Sequence, residues 1–410
     1  MNKNLCVMPW FHTATLNNGD IQLCCLALNN SKLNLNNISL TDAWNSEYYK
    51  KTRIDMLSGH RVAACEACWK EEDAGVKSHR MISNSIFSQK AGAHKIEELI
   101  NETLPDGTYN TLPPTIDFRL GNVCNLQCVM CQPSDSSKWV VPSKKLSKVL
   151  ESPIKFDWQY KSNLDINQFD WAKQQSFWED FYKIAPNIRH ITFGGGEPLL
   201  VKEQKLLVKK LVDDNLAKNI ELLYHTNCTI YDQELLDYWS NFKSVKLMLS
   251  IDGTDSVNSY IRRPANWAEI EQNLKLYDKT PDNIIVSINC TIQLANILNC
   301  VDFAKWLLDQ KFKKVGVSTD GGIFFASLLH WPRYLSIQVL PAHIKETATA
   351  ELLNFVNQYP DNVGISRLKN IVNFMNLEDK SSLYPQALEF FDKNDQISPC
   401  RHSLDCTGLV

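Results

Sequence analysis

The pattern of apolar and polar positions predicts a long middle stretch in which strands alternate with helices. Short runs rich in β-branched and aromatic residues, bounded by turn residues, predict six strands, at 115–120, 189–193, 220–225, 245–251, 284–289 and 314–318. Apolar residues recur at helical spacing between them, at 201–215, 232–239, 266–278 and 295–310. Strands connected in this way lie parallel, with right-handed crossovers. We therefore predict an α/β fold, a partial (β/α)6 TIM-like barrel.

The pattern changes on both sides of this stretch. Residues 103–114 contain Gly107 and the pair Pro113-Pro114, which indicates a linker that ends before a strand. After Pro341 the pattern becomes mainly helical, at 342–358 and 365–375. We predict three parts: a cysteine-rich module at 1–108, the barrel at 109–340 and a helical extension at 341–410.

Composition and charge narrow the classes of function. The chain has 410 residues, a formal net charge of -3 and 44% hydrophobic residues, enough for a sizeable core. This charge favours neither nucleic acid nor an anionic membrane as a partner. No apolar stretch reaches the roughly 20 residues that cross a bilayer, and the first ten residues do not resemble a signal peptide. We expect a cytoplasmic protein without a membrane partner.

The cysteines are the most informative residues. The chain has 13 of them, and closely spaced cysteines in a reducing cytoplasm indicate metal or cluster ligation rather than disulfides. Cys124, Cys128 and Cys131 follow the first predicted strand, where a β/α barrel carries its catalytic loops. Three thiolates on one loop can hold three irons of a 4Fe-4S cluster and leave the fourth iron open. A closed zinc site, the alternative, usually uses paired CxxC elements.

This CxxxCxxC spacing resembles the radical S-adenosylmethionine (SAM) superfamily. The resemblance implies that SAM occupies the open iron and that the cluster's electron cleaves it to a 5'-deoxyadenosyl radical, which removes hydrogen from a substrate. The family usually has an aromatic residue before the third cysteine, beside the adenine. Met130 stands there in this chain, and its thioether can also pack against a purine.

The ends of the later predicted strands carry further features of this resemblance. The run Gly194-Gly195-Gly196-Glu197-Pro198 looks like the family's GGEP motif, in which backbone carbonyls and the glutamate accept hydrogen bonds from the ammonium of SAM. His225-Thr226-Asn227-Cys228 is similar to a Thr-Asn-Gly motif, with Cys228 in the place of glycine. An ordinary turn is the alternative for each motif taken singly.

The fourth and fifth strands add the remaining candidates for SAM binding. Ser250-Ile-Asp252-Gly, followed by Arg262 and Arg263, resembles a pattern in which the first two polar residues face the ribose or the substrate. The resemblance assigns one of the two arginines to the SAM carboxylate, since a guanidinium suits a bidentate partner. Asn289, at the end of the fifth strand, is a further ribose candidate.

The cysteine-rich amino-terminal part resembles the SPASM and twitch modules of radical SAM enzymes. By that resemblance, four cysteines surround an auxiliary 4Fe-4S cluster, with Cys25 as the alternative to Cys24: Cys6, Cys24, Cys65 and Cys68. No further cysteines follow in 71–80, which favours the twitch version with one auxiliary cluster. The spacing alone also permits a four-cysteine zinc site.

These features predict an enzyme, a radical SAM oxidoreductase or modifying enzyme. Its partners would be SAM, an electron donor such as flavodoxin or ferredoxin, and a substrate for which we favour a peptide or protein. Two alternatives remain: modification of a nucleic acid such as tRNA, which the charge does not favour, and a zinc- or cluster-binding scaffold without turnover. The tail cysteines Cys400 and Cys406 have no assigned role.

Overall fold

The computed structural model describes residues 3–73, 75, 77–92, 94–316, 322–398 and 400–409. Within them the strands are β1 His12–Thr15, β2 Ile21–Gln22, β3 Thr115–Arg119, β4 Gln127–Cys128, β5 His190–Gly194, β6 Glu221–Thr226, β7 Ser244–Ser250, β8 Arg262–Arg263, β9 Ile284–Ile292 and β10 Phe325–Leu328.

The α-helices of the first half of the chain are α1 Met8–Phe11, α2 Leu40–Trp44, α3 Glu47–Leu57, α4 Glu66–Asp73, α5 His79–Ala91, α6 His94–Asn101, α7 Val140–Val149, α8 Ile154–Ser162 and α9 Gln175–Ile184. Those of the second half are α10 Lys202–Asp213, α11 Gln233–Trp239, α12 Asp255–Ile261, α13 Trp267–Tyr277, α14 Cys300–Gln310, α15 Ala342–Asn357, α16 Val363–Ser366, α17 Lys369–Leu377 and α18 Tyr384–Ile397.

The chain forms two compact units. The first unit contains residues 1–122, 167–223 and 241–243, and the second contains 123–166, 224–240 and 244–410. Strand β6 begins in the first unit and ends in the second, so each unit carries one part of the main sheet. This division differs from the predicted boundaries at 108 and 340, which stay a prediction about domains.

The sheet of the first unit begins with the amino-terminal strands. Strand β1 is antiparallel to β2 and parallel to β3, with His12 opposite Thr115. Strand β3 is in turn parallel to β5, with Ile116 opposite Ile191. Ile116 and Phe118 are buried on one face, where Phe118 meets the rings of Phe177 and Phe181 on α9. The amino-terminal strands therefore extend the same sheet to which the first predicted barrel strand belongs.

The second unit continues with parallel strands β7, β9 and β10. Along β7, Val245, Leu247 and Leu249 are buried, whereas the alternate positions through Ser250 are half-buried. Because successive side chains of a strand point to opposite faces, the buried residues lie on one face of the sheet and the half-buried residues on the other. The strands of the second unit follow the order β10-β9-β7, and those of the first unit follow the order β5-β3-β1-β2. The fold is thus α/β with a mostly parallel sheet, as predicted, and the sheet is not closed.

The prediction of a sixth strand at 314–318 is wrong for the part that the structure describes. Lys314 to Gly316 form a turn, while residues 317 and 318 lie outside the described residues. The carboxylate of Asp278 accepts the backbone N–H groups of Lys314 and Val315 at 2.7 and 3.1 Å, so these amides are not available to a ladder. The strand that pairs with β9 is β10, which begins at Phe325.

The remaining predicted elements agree with the structure to within a few residues, apart from the start of α14 and the helix predicted at 365–375, which is interrupted at residues 367 and 368 between α16 and α17. Residues 295–299 form a 3₁₀ helix before α14 begins at Cys300. The predicted helical extension contains α15 to α18, and Ala387, Phe390 and Phe391 of α18 are buried. No helix within the described residues is long and apolar enough to cross a membrane.

Candidate functional site

The three-cysteine loop, residues 124–131, lies in the second unit and is held by a two-stranded ribbon. Strands β4 and β8 are antiparallel, with Cys128 opposite Arg262. The N–H of Cys131 donates to the carbonyl of Cys128 at 3.0 Å, and the indole of Trp139 donates to the same carbonyl at 2.9 Å. Because these backbone groups are hydrogen-bonded, β8 and Trp139 help to fix the conformation of the loop.

The side chains of the loop converge on one apolar cluster. Cys128 is buried with Leu126 and Ala265, and Cys124, Met130 and Cys131 pack against them. A hydrogen bond between the thiols of Cys128 and Cys131 lowers the pKa of Cys128 and raises that of Cys131, which shows that the two sulfurs are neighbours. The loop therefore brings its three thiols to one place.

Nitrogen donors surround two of these sulfurs. The amide Nδ2 of Asn227 lies 4.0 Å from Sγ of Cys124, and the backbone N–H of Leu126 donates to it at 3.4 Å. Nη1 of Arg262 lies 3.9 Å from Sγ of Cys128. N–H donors that face thiolate sulfur stabilise bound iron-sulfur clusters. Three soft donors with N–H groups around them thus fit a cluster held at three corners.

Asn227, predicted as a SAM-binding residue, lies directly against this loop. Its Nδ2 donates to Oδ1 of Asn125 at 2.8 Å, and its Oδ1 accepts the backbone N–H of Thr229 at 3.0 Å. The next residue, Cys228, has a φ of 64°, in the left-handed region that favours glycine. Glycine adopts this conformation without strain, which agrees with the glycine of the Thr-Asn-Gly motif that this segment resembles.

Ser250 and Asn289 are partners across the end of the parallel pair β7 and β9. Oδ1 of Asn289 accepts a hydrogen bond from the hydroxyl of Ser327 on β10 at 2.6 Å. Both predicted ribose candidates are half-buried and lie at the carboxyl end of β7, where ligands of open α/β sheets bind.

Asp252, predicted to face a ribose or the substrate, is paired with protein groups in the structure. Its side chain is fully buried, and its Oδ2 forms an ion pair with Nε of Arg262 at 2.8 Å. Its Oδ1 accepts the backbone N–H of Thr291 at 2.7 Å. Burial raises the pKa of Asp252, while Arg262 and this N–H oppose the shift. The structure brings Asp252 and Arg262 together, and contact of Asp252 with a ribose stays a prediction.

The two consecutive arginines have separate surroundings. Arg262 contacts Asp252 and Cys128, as described above. Arg263 instead forms an ion pair with Asp395 of α18 at 2.7 Å and lies over the ring of Tyr260 at 4.5 Å. Between the two candidates left open by the sequence, only Arg262 touches the three-cysteine loop through its guanidinium.

The glycine-rich turn 194–197 belongs to the first unit. Gly195 has a φ of 106°, and a Cβ there would lie 2.8 Å from the carbonyl oxygen of Gly121, so a larger residue does not fit. The N–H of Gly196 donates to that same oxygen at 3.1 Å. Glu197 is buried, and its Oε1 accepts the N–H of Leu199 at 3.1 Å. Binding of the SAM ammonium by this turn stays a prediction.

The first unit also brings together the amino-terminal cysteines. Cys6, Cys24 and Cys68 are buried and Cys65 is half-buried. Cys24 and Cys65 lie close enough to Cys6 for their charges to raise its pKa, and Cys68 raises the pKa of Cys65 in the same way. Burial raises the pKa of Cys24 to about 12 and that of Cys65 to about 11, so without a metal these thiols keep their protons.

Cys25, the alternative ligand, is exposed. Its thiol lies within electrostatic reach of Asp117 and Arg119 on β3, and also of Cys68. Cys24 is the member of this pair that is buried together with Cys6 and Cys65. The geometry supports Cys24 as the ligand. Among the described residues, no group of three or more His, Cys, Asp or Glu side chains is arranged to hold a single metal ion.

Sequence reasoning missed the polar residues that support these groups. They are Asn125, Asn258, Thr291, Asn296 and, near the amino-terminal cysteines, Arg80. Asn125 lies inside the cysteine motif and Asn258 lies six residues after Asp252, whereas Thr291 and Asn296 are about forty residues away from it, and no local pattern marks them. The tail cysteine Cys400 lies near α12, where its thiol donates to the carbonyl of Ser259 at 3.8 Å.

Comparison with protein families gives two matches. Residues 118–292 match the radical SAM superfamily, and residues 6–69 match SPASM, an iron-sulfur cluster-binding domain. The chain thus contains a radical SAM domain and, at the amino terminus, a SPASM domain. The radical SAM domain implies a 4Fe-4S cluster with SAM, and the SPASM domain implies an auxiliary iron-sulfur cluster. Both cofactors agree with the predictions.

Individual relatives are distant. Among solved structures, native anSMEcpe with bound AdoMet and Cp18Cys peptide is 17% identical and covers 63% of this chain and 61% of its own, with a TM-score of 0.35. SuiB of Streptococcus suis bound to precursor peptide SuiA is 14% identical, with coverages of 78% and 67% and a TM-score of 0.35. Protein STU1 of Candida albicans (strain SC5314 / ATCC MYA-2876) is 26% identical over 188 residues, which are 41% of this chain and 13% of that protein. This chain thus spans less than two thirds of the length of anSMEcpe and of STU1.

Proposed function

We propose that this protein reductively cleaves SAM and uses the resulting radical to remove hydrogen from a peptide or protein substrate. The observation that carries the first part is the convergence of Cys124, Cys128 and Cys131 on one loop beside nitrogen donors. When bound, the 4Fe-4S cluster supplies the electron that divides SAM into methionine and a 5'-deoxyadenosyl radical.

The chain's own residues have four tasks in this proposal. The three thiols hold the cluster and leave one iron for SAM. Met130, which packs beside them, supplies an apolar contact for adenine. Ser250 and Asn289 offer hydroxyl and amide groups to the ribose at the end of β7. Glu197, with the backbone of Gly195 and Gly196, accepts hydrogen bonds from the ammonium.

The amino-terminal cysteines have a different task. Four thiolates, from Cys6, Cys24, Cys65 and Cys68, would complete the coordination of an auxiliary cluster and leave no open iron. Such a cluster can pass electrons or position a substrate, but it does not bind SAM. We assign the auxiliary cluster to this electron-transfer or positioning role.

The exposed edge strand β10 supports a peptide as the substrate class. Within the described residues, β10 is the last strand of the sheet, and Phe325 to Ser327 are exposed. An extended peptide can add to such an edge through main-chain hydrogen bonds. A cavity of about 360 Å³ beside it is lined by Phe325, Leu328, Arg367 and Ile371 among others, which suits a side chain of the added peptide.

An electron donor must reduce the SAM cluster before each cleavage. We propose a low-potential flavodoxin or ferredoxin as this partner, since each cleavage consumes one electron that amino-acid side chains do not supply. One electron enters, the sulfonium C–S bond breaks to give methionine and the 5'-deoxyadenosyl radical, and this radical takes a hydrogen atom from the substrate, which leaves 5'-deoxyadenosine and a substrate radical.

The test is anaerobic reconstitution with iron and sulfide, followed by incubation with SAM and dithionite. We expect 5'-deoxyadenosine and methionine in equal amounts, and none from a Cys131→Ser variant. For the substrate, libraries of short peptides would be screened for one that increases 5'-deoxyadenosine and changes in mass. Wild-type protein that binds a full cluster on this loop but never cleaves SAM would contradict the proposal.

A further inference from the structure

The buried pair of Asp252 and Arg262 has a geometry that a ribose-binding aspartate would not need. Oδ1 of Asp252 accepts a hydrogen bond from the N–H of Thr291 at 2.7 Å, and Oδ2 forms an ion pair with Nε of Arg262 at 2.8 Å without the geometry of a hydrogen bond. The side chain has no exposed surface. A carboxylate whose two oxygens both contact protein groups, and which has no exposed surface, can position those neighbouring groups.

The backbone around Asp252 is fixed as firmly as its side chain. Its N–H donates to Oδ1 of Asn258 at 3.0 Å, and its carbonyl accepts Nδ2 of Asn296 at 2.9 Å. The following Gly253 allows a close approach, since a Cβ there would lie 2.6 Å from Oδ1 of Asn299. Asp252 therefore has little conformational freedom and can hold the side chain of Arg262 in a fixed position.

Arg262 is held by its backbone, which pairs with strand β4, and by its guanidinium, which pairs with Asp252. Its backbone pairs with Cys128 in the β4–β8 ribbon, which places the start of its side chain beside the loop. Asp252 holds Nε, and a planar guanidinium with a fixed Nε has little freedom left at its other nitrogens. Nη1 lies 3.9 Å from Sγ of Cys128 as a result.

We propose that Asp252 is a positioning residue that keeps Nη1 of Arg262 on the sulfur of Cys128, and that this contact raises the reduction potential of the cluster on the three-cysteine loop. The proposal rests on the function proposed above. Reduction adds negative charge to the cluster and its thiolates, and a fixed positive N–H donor stabilises the reduced form more than the oxidised form. Asp252 would thus act through Arg262 rather than on SAM.

Arg263 is a matched control in the same ribbon. It is also buried and paired with a carboxylate, Asp395, at 2.7 Å, but its N–H groups face Tyr260 and Ser398 rather than a sulfur. A substitution of Arg263 therefore disturbs a similar ion pair without removing a donor from the loop. Any effect that depends on contact with Cys128 should be absent from it.

The experiment measures the midpoint potential of the reconstituted, SAM-free holoprotein by redox titration with EPR detection. The loop cluster is assigned as the signal that a Cys131→Ser variant lacks. We expect Arg262→Gln to lower the equilibrium constant for one-electron reduction at least tenfold, which is a shift of about 59 mV to more negative potential. Arg263→Gln should shift it less than threefold.

A double-mutant cycle tests whether Asp252 acts through Arg262. In an Asp252→Asn background, we expect Arg262→Gln to change the reduction constant less than threefold, because the donor is no longer held on the sulfur. A tenfold effect in both backgrounds would overturn the positioning role, and no effect of Arg262→Gln in the wild-type background would overturn the contact itself.

Arg262→Lys keeps the test available if Arg262→Gln does not fold. A lysine has one charged group, which the Asp252 carboxylate would take, so the sulfur loses its donor and the potential should again fall. An unchanged potential in this variant would overturn the proposal. Cluster assembly and SAM cleavage are measured separately: absence of the loop cluster overturns both proposals, whereas normal cleavage with an unchanged potential overturns only this one.

Discussion

The two cysteine sites hold their thiols in contrasting surroundings. In the three-cysteine loop, Cys124 and Cys131 are half-buried, and side-chain nitrogens of Asn227 and Arg262 approach the sulfurs of Cys124 and Cys128. Among the amino-terminal cysteines, Cys6 and Cys24 are buried, and backbone N–H groups approach them. The loop site is the more open one, with two of its three thiols half-buried against one of four at the amino-terminal site, and a guanidinium nitrogen lies 3.9 Å from one of its sulfurs.

This difference separates two uses of iron-sulfur chemistry within one chain. A site with three thiols and an accessible side can accept a ligand, and a nearby arginine adjusts its electron affinity. A site with four thiols, three of them buried, leaves no vacant iron and is suited to hold a cluster for structure or electron transfer. Substitutions near one of the two sites can show whether the iron content or the stability of the other site changes as well.

The largest expected effect comes from single cysteine substitutions. Cys131→Ser should lower the rate of SAM cleavage by roughly 1000-fold or more, because the cluster that binds SAM loses a ligand. Cys65→Ser should leave uncoupled SAM cleavage within about threefold of wild type and lower iron content by about half. Anaerobic chromatography of 5'-deoxyadenosine and iron analysis check both.

The matched control is Cys25→Ser, which changes an exposed cysteine beside the same module. Iron content should stay at the wild-type level in this variant. A loss of iron in Cys25→Ser without a loss in a Cys24→Ser variant would reverse our choice between these two ligands.

The next effect concerns the core of the amino-terminal module. Arg53 is fully buried and donates to the carbonyls of Pro9, Trp44 and Gly107 at 3.0, 2.9 and 3.2 Å. Arg53→Met would leave these acceptors without donors and should lower the free energy of unfolding by about 3 kcal/mol. We expect loss of auxiliary iron with the loop cluster retained, as measured by iron content and EPR.

Lys51→Met is the control on the same helix, since Lys51 is exposed and forms a surface ion pair with Asp55. It should change the unfolding free energy by less than about 1 kcal/mol. Equal losses of iron from both sites in Arg53→Met would show that the two sites do not assemble independently.

A third effect tests the support of the loop by the carboxy-terminal helix. Asp395 of α18 pairs with buried Arg263, and Gln127 of the loop donates to Asn394 and Ser398 at 3.3 and 3.1 Å. Asp395→Asn leaves a buried guanidinium without its counter-ion and should cost about 3 kcal/mol of stability. Denaturant unfolding of the apoprotein measures it.

Asp392→Asn, an exposed change on the same helix, should be close to neutral. The loop cluster should become more labile to chelators in Asp395→Asn and not in Asp392→Asn. Equal chelation rates in the two variants would remove the carboxy-terminal helix from the support of the loop.

The smallest effect is a pH dependence confined to the first unit. Burial lowers the pKa of His12 to about 3 from 6.5, with His190 and His79 adding to the shift. Between pH 6.5 and 3 the histidine is protonated in the unfolded chain but neutral in the folded chain. The free energy of unfolding is therefore highest above pH 6.5 and falls as the pH drops towards 3. We expect a loss of roughly 1 kcal/mol per pH unit in that window.

His12→Asn keeps an amide that can hydrogen-bond Thr115, whose Oγ1 lies 2.8 Å from Nδ1 of His12, and removes the titrating ring. Its denaturation midpoint should depend less on pH between 6.5 and 5 than that of wild type. The same slope in both proteins would assign the dependence to other groups.

The sequence predicted the parts of the fold that depend on local pattern. Five of the six predicted strands coincide with β3, β5, β6, β7 and β9, because alternation and β-branched runs act over a few residues. The sixth failed because Asp278, more than thirty residues away in sequence, takes the amides of 313–315. A carboxylate that binds a distant turn leaves no local signal.

The candidate site divides in the same way. Motif spacing was enough to select the three loop cysteines, and the structure brings their side chains together. Spacing could not distinguish Arg262 from Arg263, because only the pairing of β8 with β4 and the position of Asp395 separate them. Nor could it show that Asp252 faces an arginine, since that depends on how β7, α12 and β9 meet.

The most direct test of the central claim is Mössbauer spectroscopy of ⁵⁷Fe-reconstituted Cys65→Ser protein, which should retain only the loop cluster. The account predicts that SAM changes the signal of one iron in about four and leaves the others nearly unchanged, as for a cluster with one open corner. A cluster whose irons all ignore SAM, or a loop that binds no iron at all, would contradict it.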